Sequence, residues 1–523
     1  MNELPHLDLA IVVGYNVAVL ALGCGFFRRA ASSEHFMAAG RSLPGWAVGL
    51  SIFGSYISSI SFLANPGKAY ADNWNAAVLA FSMPLAAWIG VRWFVPVYRR
   101  SGDVSAYQHL ELRFGPWART YAAVCFLLVQ LARLGTILYL LALALRPLLG
   151  WHVATIVVVT GVIVTIYPFL GGTEAVIWTG VVQAIVLLGG AGACVAALVM
   201  GMPEGAGQIV EIAVREHKFS LGSFGTSLSH STFWVVLSYG LVTHIQNFGI
   251  DQAYVQRYIT ARSDAAAGRS VWLGTVMFIP VSLGFFFIGT ALFAFYRIQP
   301  DLLPTGVAIK PDDVFPHFIA NELPPGLTGL VIAAICAAAM DSNLNCSATL
   351  FLCDIYRRYF RPTAGEGESL WVLRVSTLVL GALSVLVGLA MLRVRTALDV
   401  WWQLAGIFSG GMLGLFLLGM LAGRKQAANI QVSSESSEPG ARHTNCGPHS
   451  GRDLQWAGLA GVACGVATIL WMTFSPKWSG RFEALRSPFH NLLVLVIGTA
   501  VVLGVGLAVH WFARARSRQK DLA

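Results

Sequence analysis

Charge is what this chain has least of: 12% of its 523 residues are Asp, Glu, Lys or Arg, against 56% hydrophobic. A soluble domain carries roughly 25% charged residues, so too little polar surface is available to wet a protein of this size, and much of the exterior must face lipid. The same hydrophobicity excludes a disordered chain. Cysteine is sparse and unpatterned: most of the eight sit inside apolar stretches (Cys24, Cys125, Cys194, Cys336, Cys346, Cys353, Cys464) without metal-type spacing, which argues against a disulfide framework or a zinc site. Neither a G-x-S-x-G nor an H-E-x-x-H motif occurs, and the histidines are scattered, so no enzyme is expected. Only His244 falls mid-span near a polar cluster, and it reads as a satisfied structural histidine. The first apolar run opens beside Glu3 and Asp8 rather than after basic residues and has no small-residue cleavage site, so it reads as a retained helix.

What is present is a series of long apolar runs. A helix needs roughly 20 apolar residues to cross about 30 Å of hydrocarbon. On that measure spans fall near 7–27, 45–64, 75–98, 120–145, 152–170, 175–200, 232–250, 271–296, 326–353, 370–392, 398–422, 454–474 and 489–512, thirteen in all. The 16 Trp include several at run ends (Trp74, Trp93, Trp117, Trp151, Trp401, Trp402), where amphipathic rings sit at the headgroups. The net charge of +9 is distributed over short loops rather than along one face, which points to membrane topology and not to nucleic acid. With the N-terminus outside, inward loops hold 21 Lys and Arg and outward loops 11, so the expectation is a multi-pass protein of the cell (inner) membrane with its C-terminus in the cytoplasm. Two long outward stretches, from Met202 to Ser229 and from Gln299 to Pro325, read as an external cap with short helices. Residues 426–453, rich in Ser, Gly and charge, read as a disordered cytoplasmic loop.

Two spans carry polar residues where lipid-facing sequence would be Leu and Val. The second includes Ser51, Gly54, Ser55, Ser58, Ser59 and Ser61; the seventh includes Ser238, Tyr239, Gly240, Thr243, His244, Gln246 and Asn247. Secondary transporters hold substrate at the midplane between helices broken by such residues. The two spans lie five apart, as the first members of two five-helix repeats of opposite orientation would. The other reading is that these small residues simply let helices pack closely. Arg133 lies deep in FLLVQLARLGTILYLLALAL, where a charge costs at least about 2.5 to 3.5 kcal/mol at the helix centre. Its guanidinium is a fork for a carboxylate. Snorkelling to the interface, or a structural pair with Asp341, are the alternatives.

Four stretches, GRSLPGWAVGLSIFGSYISSISFLANPGKAY at 40–70, GGTEAVIWTGVVQAIVLLGG at 171–190, FGIDQAYVQRYITARS at 248–263 and GLVIAAICAAAMDSNLNCSATLFLCDIYRR at 329–358, resemble the sodium:solute symporter family over about residues 5 to 425. The resemblance implies an all-α integral membrane protein. Its parts would be an extra N-terminal helix (1–30), a first five-helix repeat (40–200), a second (230–425), each opening on a broken helix, the 426–453 loop, and two C-terminal helices with a basic tail (454–523). Within the family, QLARLGTILYLLALAL is similar to the bacterial sialic-acid branch. That likeness implies that Ser58 and Ser61 touch the substrate, that Arg133 takes its carboxylate, and that Tyr56, which is Thr in that branch, lies beside them; Ala80 departs from a Gln there. Phe81, Ser82, Ser238, Gln246 and Asn247 are further candidates to touch substrate or to gate it.

For sodium, the resemblance implies backbone carbonyls near Gly54 and Ile57 and a serine pair on the ninth span. Here CAAAMDSNLNCSAT either lacks that pair by deletion or has Ala338 and Ala339 in its place; Asp341 and Ser342 remain nearby, Asp341 as a source of charge for a shifted cation or as a proton carrier. The family's W-T-D is Trp178-Thr179-Gly180 in this chain. The expected function is alternating-access import of a small organic acid with sodium as the coupling ion and no other cofactor. Sodium-independent or proton-coupled exchange, and a transporter-like solute sensor, are the other readings. The partners expected are the solute and the lipid bilayer, with no nucleic acid and no obligate protein partner.

Overall fold

The computed structural model describes residues 5–26, 32–57, 59–101, 104–303, 311–339, 343–392, 397–422 and 448–522. Among the described residues all regular structure is helical, apart from an isolated bridge between Leu43 and Ala261. In hydrocarbon a helix satisfies its own backbone groups, which is why apolar runs of this length fold this way. Nine described helices are long and apolar enough to cross a membrane: His6–Gly23, Trp74–Ser101, Pro116–Arg146, Gly172–Met200, Asp264–Ile298, Glu366–Met391, Leu404–Ala422, Asp453–Lys477 and Leu493–Arg516. A bent pair, Gly45–Tyr56 with Ser61–Ala71, whose axes differ by 49°, brings the number to ten when it is taken as one span. This is a multi-pass, all-helical membrane protein.

The three other spans read from the sequence are helical but shorter or more polar. Val153–Ile166 runs on to a break at Gly172 (φ 59, ψ −155), beyond which the helix resumes towards Met200. A side chain at Gly172 would meet the Phe36 carbonyl at 2.9 Å, so both its backbone angle and its neighbour require glycine. The apolar part of the ninth is Leu327–Cys336, and the same stretch of chain continues as Asn343–Leu350 and a π-helical turn region, Phe351–Phe360. Phe233–Gly249 spans 17 residues and carries the polar seventh-span residues. The expected cap helices are present as Ala206–Arg215 and Pro311–Asn321. The helix expected from 454 starts at Pro448, whose fixed φ suits a first turn; most of the 426–453 loop lies outside the described residues.

The fold has two ends of different character. At one, Gln299 Nε2 donates to the Gly201 carbonyl (3.1 Å), Lys218 Nζ to those of Tyr70 (2.7 Å) and Asp72 (2.9 Å), and the His490 amide to Leu228 (2.8 Å). These tie the loop after residue 201 to that after 298, and the loop after 216 to those after 71 and 474. At the other, Arg119 Nε donates to Asp354 (2.7 Å) and Nη1 to Glu111 (3.0 Å), Ser105 Oγ donates to Asp354 (2.7 Å), and Arg358 pairs with Glu111. There too Arg99 binds Asp264 (2.9 Å) and the Ile259 carbonyl (2.9 Å), while Gln252 clamps residues 104 and 106 through both halves of its amide.

Candidate functional site

The broken helix sets the geometry. Gly45–Tyr56 ends at Ile57, which is extended (φ −103, ψ 96) and buried, and the chain resumes as Ser59–Ala71. The last carbonyls of the first half therefore have no helical partners and form the negative end of its dipole. Arg133 answers that end: its Nη2 donates to the Ser55 carbonyl at 3.2 Å, and Tyr254 Oη donates to the same oxygen at 3.3 Å. Ser61 Oγ reaches back across the break to the Tyr56 carbonyl at 3.5 Å. Arg133 thus stays inside the protein, at the interruption, and does not snorkel.

Beside it lies a cavity of about 360 Å³, within the range of small-molecule sites. Its wall takes Gln130 and Arg133 from Pro116–Leu149, Tyr239, Thr243, Gln246 and Asn247 from Phe233–Gly249, and then Asp251, Ser409, Thr473, Lys477 and Asn491. Two of these side chains carry buried polar atoms with no hydrogen-bond partner among the described residues, Gln130 Oε1 and Gln246 Oε1, while the Thr243 hydroxyl has the Tyr239 hydroxyl beside it. Buried polar atoms are rarely left in that state, and around a cavity they are places where a polar ligand binds. Of the residues named from the sequence, Arg133, Tyr239, Thr243, Gln246 and Asn247 line the cavity together.

The others are placed elsewhere. The Tyr56 ring packs among Tyr254 (centroids 4.5 Å), Phe278 (5.3 Å), Phe248 (5.8 Å) and His244 (5.9 Å), with its buried hydroxyl turned towards the Asn247 side chain of the cavity wall. Ser82 is buried, its hydroxyl 3.0 Å from His244 Nδ1 and donating to the Leu79 carbonyl at 2.8 Å, so His244 is a satisfied structural histidine as expected. Phe81 is exposed and Ser238 half-buried, both away from the cavity wall. Ser58, Asp341 and Ser342 lie outside the described residues, and Ala338 is described only as part of the helix Leu327–Ala339. Gly54 packs towards Gly180, whose carbonyl would sit 3.5 Å from a Gly54 Cβ. At Gly180 a Cβ would come within 2.9 Å of Ser51 Oγ, and that hydroxyl accepts Arg257 Nε at 3.2 Å. The space an aspartate would need at position 180 is therefore filled by a serine and an arginine.

The sequence reading left out Gln130, Asp251, Ser409 and Lys477. Gln130 stands three residues before Arg133 on the same helix face, and Thr243, Gln246 and Asn247 share a face by the same three-and-four spacing, so helical periodicity alone could have grouped them. Asp251 caps Gln252–Ile259 by accepting the Ala253 amide at 2.8 Å, a local role that hides its second position on the cavity wall.

The family model described as the sodium:solute symporter family matches residues 36–428. This chain belongs to the sodium:solute symporter family. It is a carrier that moves a solute together with sodium. The sodium/sialic acid symporter SiaT of Proteus mirabilis (strain HI4320) is 32% identical over 442 residues, 83% of this chain and 88% of that protein. The sodium/sialic acid symporter NanT of Aliivibrio fischeri (strain ATCC 700601 / ES114) is 30% identical over 94% of this chain and 92% of its own length. Human sodium-coupled monocarboxylate transporter 1 is also 30% identical, over 75% of this chain and 64% of its own. A solved structure described as the substrate-bound outward-open state of a Na+-coupled sialic acid symporter superposes with a TM-score of 0.83 at 27% identity, covering 97% of this symporter and 98% of that chain. Mhp1, a nucleobase-cation-symport-1 family transporter, shares the fold at a TM-score of 0.56 and 15% identity, covering 92% of this chain and 95% of its own.

Proposed function

We propose that this symporter imports a small polyhydroxylated acid, of the sialic-acid or sugar-acid class, by alternating access. The observation that carries the proposal is the cavity: a guanidinium in the same wall as two buried carboxamide oxygens without partners among the described residues. The Arg133 fork suits a carboxylate. Gln130 Oε1 and Gln246 Oε1 are acceptors, and they suit the hydroxyl donors of a sugar acid better than a short monocarboxylate, which has few donors to offer. The two relatives of similar length carry sodium/sialic acid in their names. Ser58, Ser61 and Tyr56 complete the substrate site from the broken helix, with Phe81 and Ser238 as more distant gate positions. Sodium is taken by the carbonyls near Gly54 and Ile57, with Ala338, Asp341 and Ser342 as the further cation-site positions.

In this reading thirteen helices cross the membrane. The core is the two five-helix repeats at 40–200 and 230–425, flanked by the N-terminal helix (1–30), the 426–453 loop and the C-terminal helices (454–523). Both repeats open on an interrupted helix: Gly45–Tyr56 with Ser59–Ala71, and Phe233–Gly249 with Gln252–Ile259. The N-terminus faces outward, and the cavity end with it. The test is a thermal-shift screen of sialic acid, glucuronate, lactate and glucose on wild type and Arg133→Ala. Acids should stabilise the wild type and not the variant; stabilisation by glucose with an indifferent variant would overturn the assignment. Uptake into proteoliposomes with and without a sodium gradient separates symport from exchange, the alternative that the filled space at Gly180 favours.

A further inference from the structure

The cavity extends beyond the family core. Its deep wall is Arg133, but its rim is Thr473, Lys477 and Asn491, from the two C-terminal helices and the loop between them, all past residue 428, where the family match ends. That loop is a built structure. Ser475 Oγ accepts the Ser487 amide at 2.9 Å, Trp471 Nε1 donates to the Leu485 carbonyl at 2.9 Å, and Arg486 donates to the Trp478 carbonyl at 2.6 Å while pairing with Glu483 at 3.0 Å. The His490 amide pins it to Leu228 of the neighbouring loop. Arg486 has its carboxylate. Lys477 makes no ion pair among the described residues, and it is exposed at the cavity rim.

A cation at the mouth of a low-dielectric cleft raises the local concentration of anions, because the walls focus its field. Resting on the acid-carrier reading above, we infer that Lys477, with Asn491 on the same rim, forms an outer subsite that receives the carboxylate of the incoming acid before it passes to Arg133. The C-terminal helices then set part of the specificity and are more than a flank to the core.

The test is sodium-driven uptake of radiolabelled sialic acid into proteoliposomes, comparing wild type with Lys477→Gln, Lys477→Glu and Lys477→Arg, each checked for its melting temperature. Lys477→Gln should raise KM about 2- to 5-fold, the scale of an exposed charge pair, with the maximal rate unchanged. Lys477→Glu should raise it further, and Lys477→Arg should behave as wild type. At fixed sodium, added choline chloride should shrink the differences, since screening acts on an exposed charge. Wild-type KM in both Lys477→Gln and Lys477→Glu, or a lost maximal rate at unchanged KM, would overturn the subsite while Arg133→Ala still abolishes uptake. If the wild type neither transports sialic acid nor is stabilised by any acid, the acid-carrier reading falls, and the subsite with it.

Discussion

The two ends of this symporter differ in how they handle buried charge. Around Arg119 the charges are paired: Asp354, fully buried, accepts from Arg119 and Ser105, and Glu111 bridges Arg119 and Arg358, although Arg358 Nε and the Tyr107 hydroxyl have no hydrogen-bond partner among the described residues. Around the cavity, Gln130 and Gln246 each leave a buried side-chain oxygen without a partner among the described residues. Desolvated polar groups cost free energy unless they are bonded. The paired end therefore holds helices together, and the unpaired end keeps bonding capacity for a ligand. The same kind of deletion should cost stability at one end and affinity at the other.

The largest effect is expected from Asp354→Asn, which leaves the Arg119 guanidinium without its buried carboxylate. Breaking such a pair costs about 3 to 5 kcal/mol, and Glu111 should hold the loss near the lower figure. A clear fall in Tm in detergent is the readout; an unchanged Tm would mean that this end is not a structural latch. At the cavity end, Arg133→Lys keeps the charge but loses the fork. Acid affinity should drop about 10- to 100-fold, the worth of one or two charged hydrogen bonds, measured by KM for uptake. Gln246→Ala should raise KM about 3- to 10-fold with Tm unchanged, because its oxygen has nothing to lose in the empty protein. A fall in Tm there would erase the contrast between the ends.

A pH dependence is also expected at the paired end. Burial, and secondarily Arg113, push the His109 imidazole, which faces Phe416, from 6.5 down to about 4. The unfolded chain therefore binds a proton that the folded one refuses between those values. His109's contribution is complete above about pH 6.5 and is lost as pH falls towards 4. His109→Gln should flatten that limb in melts run at successive pH values, and an identical slope would refute the assignment.

Much of this was legible along the chain. Arg133 announced itself because a charge inside an apolar run needs a reason, and the break near Ile57 because serines and glycines crowd a span that lipid would fill with Leu. Lys477 was not legible: in a polar connector a lysine looks like any loop charge, and only the folding of residues 473–495 against Pro116–Leu149 and Phe233–Gly249 puts it on the rim. Ser82 shows the reverse. It reads as a free hydroxyl in an apolar span, yet its bond to His244, 162 residues away, makes it part of the structure.

By itself the sequence determined the membrane class, the interrupted helix and the arginine beside it, since hydropathy, charge and helix breaking act over neighbouring residues. The tertiary structure alone decided which polar groups are satisfied and which are left for a ligand. A hydrogen bond depends on distances of about 3 Å between helices far apart in the chain, and the spacing of residues along a span carries no record of them.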